Sequence, residues 1–152
     1  MPASEAPPLR LYPVLAELPT LLSYIDGFAG EHALPPADAH ALALVAEELF
    51  ANTVNHGHSA PGAASVHCGL SLDGSALTLV YSDAALPFDP TTAVIPAIPD
   101  ASTPAERRPV GGLGIHLVRK LMHTIDYVRQ DGRNFLTLTR RIGANRLAQN
   151  QP

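Results

Sequence analysis

The apolar positions change period several times along the chain, and each change marks an element. Leu9-Arg-Leu-Tyr-Pro-Val14 alternates weakly, which predicts a short edge strand able to tolerate Pro13. From Leu15 to about His32, apolar residues recur at Leu18, Leu21, Leu22, Ile25 and Phe28 with helical spacing. Pro19 falls near the start of that helix, where a missing N–H costs least. Leu34-Pro35-Pro36 connects to a second helix, with Asp38 as its expected N-cap and Leu42, Val45, Leu49 and Thr53 along one side. Ala64 to Leu72 alternates with period two, Asp73-Gly74-Ser75 makes a hairpin turn, and Leu77-Thr-Leu-Val-Tyr81 returns. A glycine-rich turn at Gly111 opens a third amphipathic helix that runs to about Met122. Ile125-Asp-Tyr-Val-Arg129 and Phe135-Leu-Thr-Leu-Thr139 form a last hairpin around Asp131-Gly132.

The order is strand, two helices, two strands, a long loop, helix, two strands. Hairpins in place of alternating βα units predict an α+β two-layer sandwich: a mostly antiparallel (mixed) sheet with about three helices on one face. The body is expected to span residues 9–142, between a loose Pro- and Ala-rich segment (1–8) and a frayed polar tail (143–152). Residues 84–110 break the pattern with six prolines and no glycine. An insert of that length inside a compact domain is a lid, a binding loop or a disordered segment.

Composition narrows the function. With 152 residues the chain is one domain of ordinary size, and 46% apolar residues argue against wholesale disorder. A formal charge of −4, with Arg107-Arg108 and Arg140-Arg141 as pairs rather than patches and Lys120 the single lysine, argues against a nucleic-acid surface. Cys68 is the only cysteine, which excludes an internal disulfide and a cysteine-based metal site; its alternating surroundings predict a buried strand residue. No run approaches the ~18 apolar residues of a membrane span, so a soluble cytoplasmic protein is expected.

Three segments carry candidate chemistry. Glu48, Asn52 and His56 are spaced four apart on the second helix and stack along one stripe beside the apolar one. A carboxylate and an amide bordering a core are costly unless something binds them, and a hard cation with phosphate oxygens suits both. A half-exposed polar edge closed by Gly57 accounts for the same row. Asp83 ends a strand, where a carboxylate could accept from an exocyclic amino group such as adenine N6 or simply start a turn. Gly111-Gly112-Leu113-Gly114 can bring backbone N–H groups and a helix N-terminus to a phosphate. It is not a Rossmann fingerprint, because position 117 is leucine and a Pro-rich loop precedes it, nor a Walker loop, because Gly-Lys-Ser/Thr is absent. Gly-x-Ser-x-Gly and His-Glu-x-x-His are absent as well, and His40, His67, His116 and His123 are scattered.

In this order and spacing the three segments resemble the GHKL ATPases, which include gyrase B, MutL and histidine kinases. Glu47-Glu-Leu-Phe-Ala-Asn-Thr-Val-Asn-His-Gly57, Pro87-Phe-Asp-Pro90, Gly111-Gly-Leu-Gly-Ile-His-Leu-Val118 and Asp131-Gly-Arg-Asn-Phe-Leu-Thr-Leu138 resemble the RsbW/SpoIIAB branch of anti-sigma factors that are also serine kinases. The resemblance spans roughly residues 9–142 and implies a Bergerat (HATPase-type) fold with residues 84–110 as the ATP lid. It implies that Glu48 is the general base and that Asn52 ligates Mg²⁺ on the ATP phosphates. It places Asp83 on the adenine amino group, and Phe88, Arg108 (or Arg107), Gly112, Leu113 and Gly114 around the nucleotide. Glu47, about 100° off the Asn52 stripe, is the lesser candidate base. The implied partners are a sigma factor and a STAS-domain anti-anti-sigma protein phosphorylated on serine, with a homodimer as the assembly.

One position departs from the family pattern. Asp-x-Gly becomes Asp83-Ala84-Ala85, and a positive φ at Ala85 would cost roughly 1 kcal/mol. That departure and the stiff lid leave a non-catalytic, nucleotide-binding partner switch as the alternative. The detached ATPase domain of a histidine kinase is a third reading, disfavoured because no helix with a phosphoacceptor histidine precedes the domain.

Overall fold

The computed structural model describes residues 4–56, 65–92 and 112–143. Three helices lie against an antiparallel sheet: α1 (Leu18–Glu31), α2 (Pro36–His56) and α3 (Gly112–Leu121). The strands are β1 (Ser4–Glu5), β2 (Leu9–Leu11), β3 (Val66–Asp73), β4 (Ala76–Asp83), β5 (Thr124–Gln130) and β6 (Arg133–Arg141). The sheet runs β1-β3-β4-β6-β5, and β2 shares the outer side of β3 with β1. Every described pair is antiparallel, so the expected sandwich is present without a parallel component.

Two expectations at the N-terminal end change. Residues within the segment expected to be loose form β1, where Ser4 and Glu5 pair with Leu72 and Ser71. The helix expected from Leu15 begins as a short 3₁₀ turn, Leu15–Glu17, before α1 starts with Pro19 in its first turn. Asp38 is not an N-cap. Helix α2 starts at Pro36, whose fixed φ suits a first helical position. Asp38 therefore lies in the first turn, where its carboxylate accepts from Arg140 Nε at 2.8 Å and from the Gly143 amide at 3.1 Å.

One face of the sheet and the inner stripes of the helices make the core. Leu21, Ile25 and Phe28 of α1, Leu42, Val45, Leu49 and Phe50 of α2, and Val118 of α3 pack on Val66, Cys68, Leu70, Leu77, Leu79, Tyr81, Leu136 and Leu138. Burial pushes the Cys68 thiol up to about 12, as befits an inert packing residue. Helix α2 touches both α1 and α3, so it is the middle helix and its stripe borders both neighbours.

The hairpin turns set the register. Asp131 and Gly132, at φ 52° and 75°, turn β5 into β6, and the left-handed region favours this Asp-Gly pair. Pairing of β4 with β6 then sets Tyr81 opposite Leu136 and Asp83 opposite Asn134 on the helix-covered face. A one-residue slip would turn both polar side chains to the other face.

Candidate functional site

The polar stripe of α2 lies where the spacing places it. Glu48 and Asn52 are half-buried at the edge of the core, and the helix runs on to His56. Among the described residues, neither the Glu48 carboxylate nor the Asn52 amide has a hydrogen-bond partner. Burial first, and the nearby charge of Glu47 second, raise the Glu48 carboxyl above its ordinary value. Helix α3 supplies the facing wall. It begins at Gly112, and at Gly114 its backbone comes so close to α2 that an added Cβ would overlap Glu48 Oε2. Here glycine leaves room for the carboxylate: a larger residue would make the end of the Glu48 side chain swing away.

The second wall is the end of β4. Asp83, 8% exposed, is held by three donors. Oδ1 accepts from Asn134 Nδ2 at 2.8 Å and from the Ala85 amide at 3.2 Å, and Oδ2 accepts from Thr53 Oγ1 at 2.7 Å. Thr53 follows Asn52 on α2, so the network ties the strand end to the helix that carries the stripe. Tyr81 OH lies 2.6 Å from Thr53 Oγ1 and 3.2 Å from the Leu49 carbonyl. It can thus donate to either while Thr53 donates to Asp83. Burial, the largest cause, keeps the Tyr81 phenol far above its usual value, so it stays a neutral donor.

The remaining expected site residues divide. Phe88 is exposed, and its amide donates to Asn134 Oδ1 at 3.3 Å, which anchors the start of the 84–110 segment beside Asp83. Pro90, two residues on, accepts from Arg119 Nε at 2.7 Å and so ties the same segment to α3. Arg107, Arg108 and Gly111 lie outside the described residues. Gly112 and Leu113 form the first residues of α3. Ala85 is buried and is not among the described residues with positive φ, which are Ala33 and Asp131 outside glycine. The backbone strain expected from the missing glycine therefore does not arise.

The donor set fits a magnesium ion held mainly by phosphate. Asn52 offers one neutral oxygen, and the described residues hold no group of three or more His, Cys, Asp or Glu side chains that would bind a cation alone. When bound, such an ion neutralises and orients phosphate oxygens.

Thr53, Tyr81 and Asn134 belong to the site but not to the expected set. Thr53 sits in the apolar stripe as its spacing indicates, yet its hydroxyl serves Asp83. Asn134 precedes the run Phe135–Thr139 and looks like turn sequence. Its one signal is period: it shares the inward parity of Leu136 and Leu138.

The comparisons agree with this geometry. Residues 13–140 match the family model of the histidine kinase-like ATPase domain. The serine/threonine-protein kinase BtrW of Bordetella bronchiseptica is 37% identical over 98 residues, 64% of this chain and 67% of that protein. The structure of the RsbU and RsbW domains of Rv1364c from Mycobacterium tuberculosis superposes with a TM-score of 0.62 at 15% identity, over 90% of this chain and 33% of that one. A histidine kinase domain from the blue-light-activated kinase EL346 of Erythrobacter litoralis gives 0.55 at 17%, over 90% and 65%. The chain thus spans a third of the first structural neighbour and just under two thirds of the second, and those two likenesses speak to fold. The family match extends over most of the sequence and takes in both walls of the site: the chain belongs to the histidine kinase-like ATPase domain family.

Proposed function

We propose that this protein is a Mg-ATP-dependent serine kinase and anti-sigma factor, which phosphorylates a STAS-type anti-anti-sigma protein and otherwise sequesters a sigma factor, as a homodimer. The observation that carries the reading is the meeting of α2 and α3, where a half-buried Glu48 carboxylate, with no hydrogen-bond partner among the described residues, lies against Gly114 one turn from Asn52. A general base works best when its basicity is raised towards the working pH, and burial raises it here. Glu48 takes the proton of a seryl hydroxyl as that oxygen bonds to the γ-phosphorus and the bond to ADP breaks. Asn52 holds magnesium, Asp83 accepts from the adenine amino group, and Gly112, Leu113 and Gly114 present backbone N–H groups to phosphate. Phe88 and Arg108 flank the nucleotide from the lid. The name of the BtrW relative, a serine/threonine-protein kinase, supports the same choice of reaction.

The test is incubation with γ-labelled ATP and a STAS-domain partner. Label on a partner serine, lost in Glu48→Gln while nucleotide binding persists, supports the kinase. Intact ATP binding with no label on the partner would instead make the protein a non-catalytic nucleotide-dependent switch. Label on a histidine of the protein itself would assign it to the histidine kinases.

A further inference from the structure

We infer that Asn134 is the positioning residue that sets nucleobase selectivity, by fixing which lone pair of Asp83 is left for the base; the inference rests on the ATP-site reading above. Asn134 is 5% exposed, and its carboxamide is surrounded on both sides. Oδ1 faces three donors: Tyr127 OH at 2.6 Å, Arg129 Nη1 at 3.1 Å and the Phe88 amide at 3.3 Å. Nδ2 faces acceptors: Asp83 Oδ1 at 2.8 Å, the Leu86 carbonyl at 2.9 Å and the Ala85 carbonyl at 3.4 Å. A flipped amide would set its oxygen against the Asp83 carboxylate and its NH₂ against three donors, so only one orientation is tenable.

That orientation decides what Asp83 can do. With Asn134 and Ala85 on Oδ1 and Thr53 on Oδ2, three of the roughly four acceptor sites of the carboxylate are filled. The one left is on Oδ2, and its direction is set by the other three. An exocyclic amino group satisfies it. A carbonyl at the same ring position, as in hypoxanthine, would bring oxygen against oxygen and leave a buried acceptor unpaired. Without Asn134 the carboxylate loses its shortest bond on Oδ1 and is held only by Ala85 and Thr53, and the distinction between amino and carbonyl weakens.

Asn134 also binds Leu86 and Phe88 at the base of the lid segment, and Arg129 Nη1 reaches the Ala85 carbonyl at 2.8 Å. The same side chain therefore orients the base reader and anchors the segment that follows it. A buried asparagine in a strand would otherwise be a poor choice at a position flanked inwardly by Leu136 and Leu138.

The experiment compares Mg-ATP with Mg-ITP, which differ at the base by amino against carbonyl, in calorimetric titrations of the full chain. Wild type should bind ATP about 30-fold or more tightly than ITP, in line with a site built to accept a hydrogen bond. Asn134→Ser, checked for folding by circular dichroism, should lower that ratio about tenfold by weakening ATP far more than ITP. Tyr127→Phe, which removes one donor from Oδ1 at constant shape, should lower it about threefold and serves if the serine variant does not fold. An unchanged ratio in a folded variant, even with both affinities reduced, would overturn the inference and leave Asn134 a structural residue. A wild type that binds both equally would overturn the inference too, since Asp83 would not read the base, whereas one that binds neither nucleotide would overturn the ATP-site reading itself.

Discussion

Thr53 and Asp83 are joined by a 2.7 Å hydrogen bond that ties the middle of the sheet to the central helix. The bond fixes the spacing between two parts of the site that are thirty residues apart in sequence. It also sets the roll of α2, because Thr53 can reach Asp83 only when Asn52 and Glu48 turn out of the core towards α3. One hydroxyl thus links the two walls.

Thr53→Val keeps the shape and removes that hydroxyl. Asp83 Oδ2 then loses its only described donor, and Tyr81 keeps just the long bond to Leu49. The expected cost is about 1–2 kcal/mol of stability, read as a lower urea midpoint, with Thr53→Ser recovering most of it. ATP affinity should fall as well, by about tenfold, because a loosened Asp83 loses its preset direction.

Gly114 and Gly27 should respond oppositely to the same substitution. Gly27 lies on the exposed side of α1 with nothing within 4 Å of an added Cβ, so Gly27→Ala should raise stability by about 0.5–1 kcal/mol through helix propensity. Gly114→Ala makes the same change in helix α3 but drives a methyl into the Glu48 carboxylate. Calorimetry should show ATP binding untouched in the first variant and reduced by about tenfold or more in the second, because the Glu48 carboxylate would have to swing off its place. Equal ATP affinities in the two would separate Gly114 from the site.

The elements were legible because their periods are clean. The alternation in β3, β4 and β6, the 3.6-residue stripes of α1 and α2, and the Asp131-Gly132 turn all say locally what they form. The placement of Glu48 and Asn52 along one half-buried stripe of α2, and of Asp83 at the end of β4, was legible from spacing. Asn134 was not, because its meaning depends on the pairing of β4 with β6, which no local pattern states. Asp38 misled for a related reason. It carries a capping side chain near a helix start, but Pro36 starts the helix first and Arg140, over a hundred residues away, takes the carboxylate. Ala85 misled in the other direction: glycine at that place in the family suggests a constraint that this backbone does not impose.

The Arg140–Asp38 pair makes a stability prediction independent of the site. Both side chains are largely buried, with Nε to Oδ1 at 2.8 Å, and Arg140 Nη1 also donates to the Leu121 carbonyl at 2.6 Å. Arg140→Met leaves a buried carboxylate with only the Gly143 amide among the described residues and should cost about 3 kcal/mol in urea unfolding. Adding Asp38→Asn should restore part of that loss, because the uncompensated charge goes. A double variant no better than Arg140→Met alone would assign the damage to lost packing.

Glu48 links stability to pH with a definite sign. Burial, and then the charge of Glu47, raise its folded value above the unfolded one, so protonation favours the folded state. The contribution is fully present below the unfolded carboxyl value and is lost as pH rises through the raised folded value. At neutral pH the charged group therefore opposes folding, and solvent screening of a half-buried carboxylate keeps the effect small. Glu48→Gln removes the charge at every pH. Its melting temperature should exceed that of wild type near pH 7.5, and the gap should close by about pH 4, where wild type is protonated too. The same variant should lose phosphoryl transfer by about 100-fold or more, since the amide accepts no proton. A gap independent of pH would mean that Gln stabilises by packing, and the carboxylate would then carry no desolvation cost for catalysis to use.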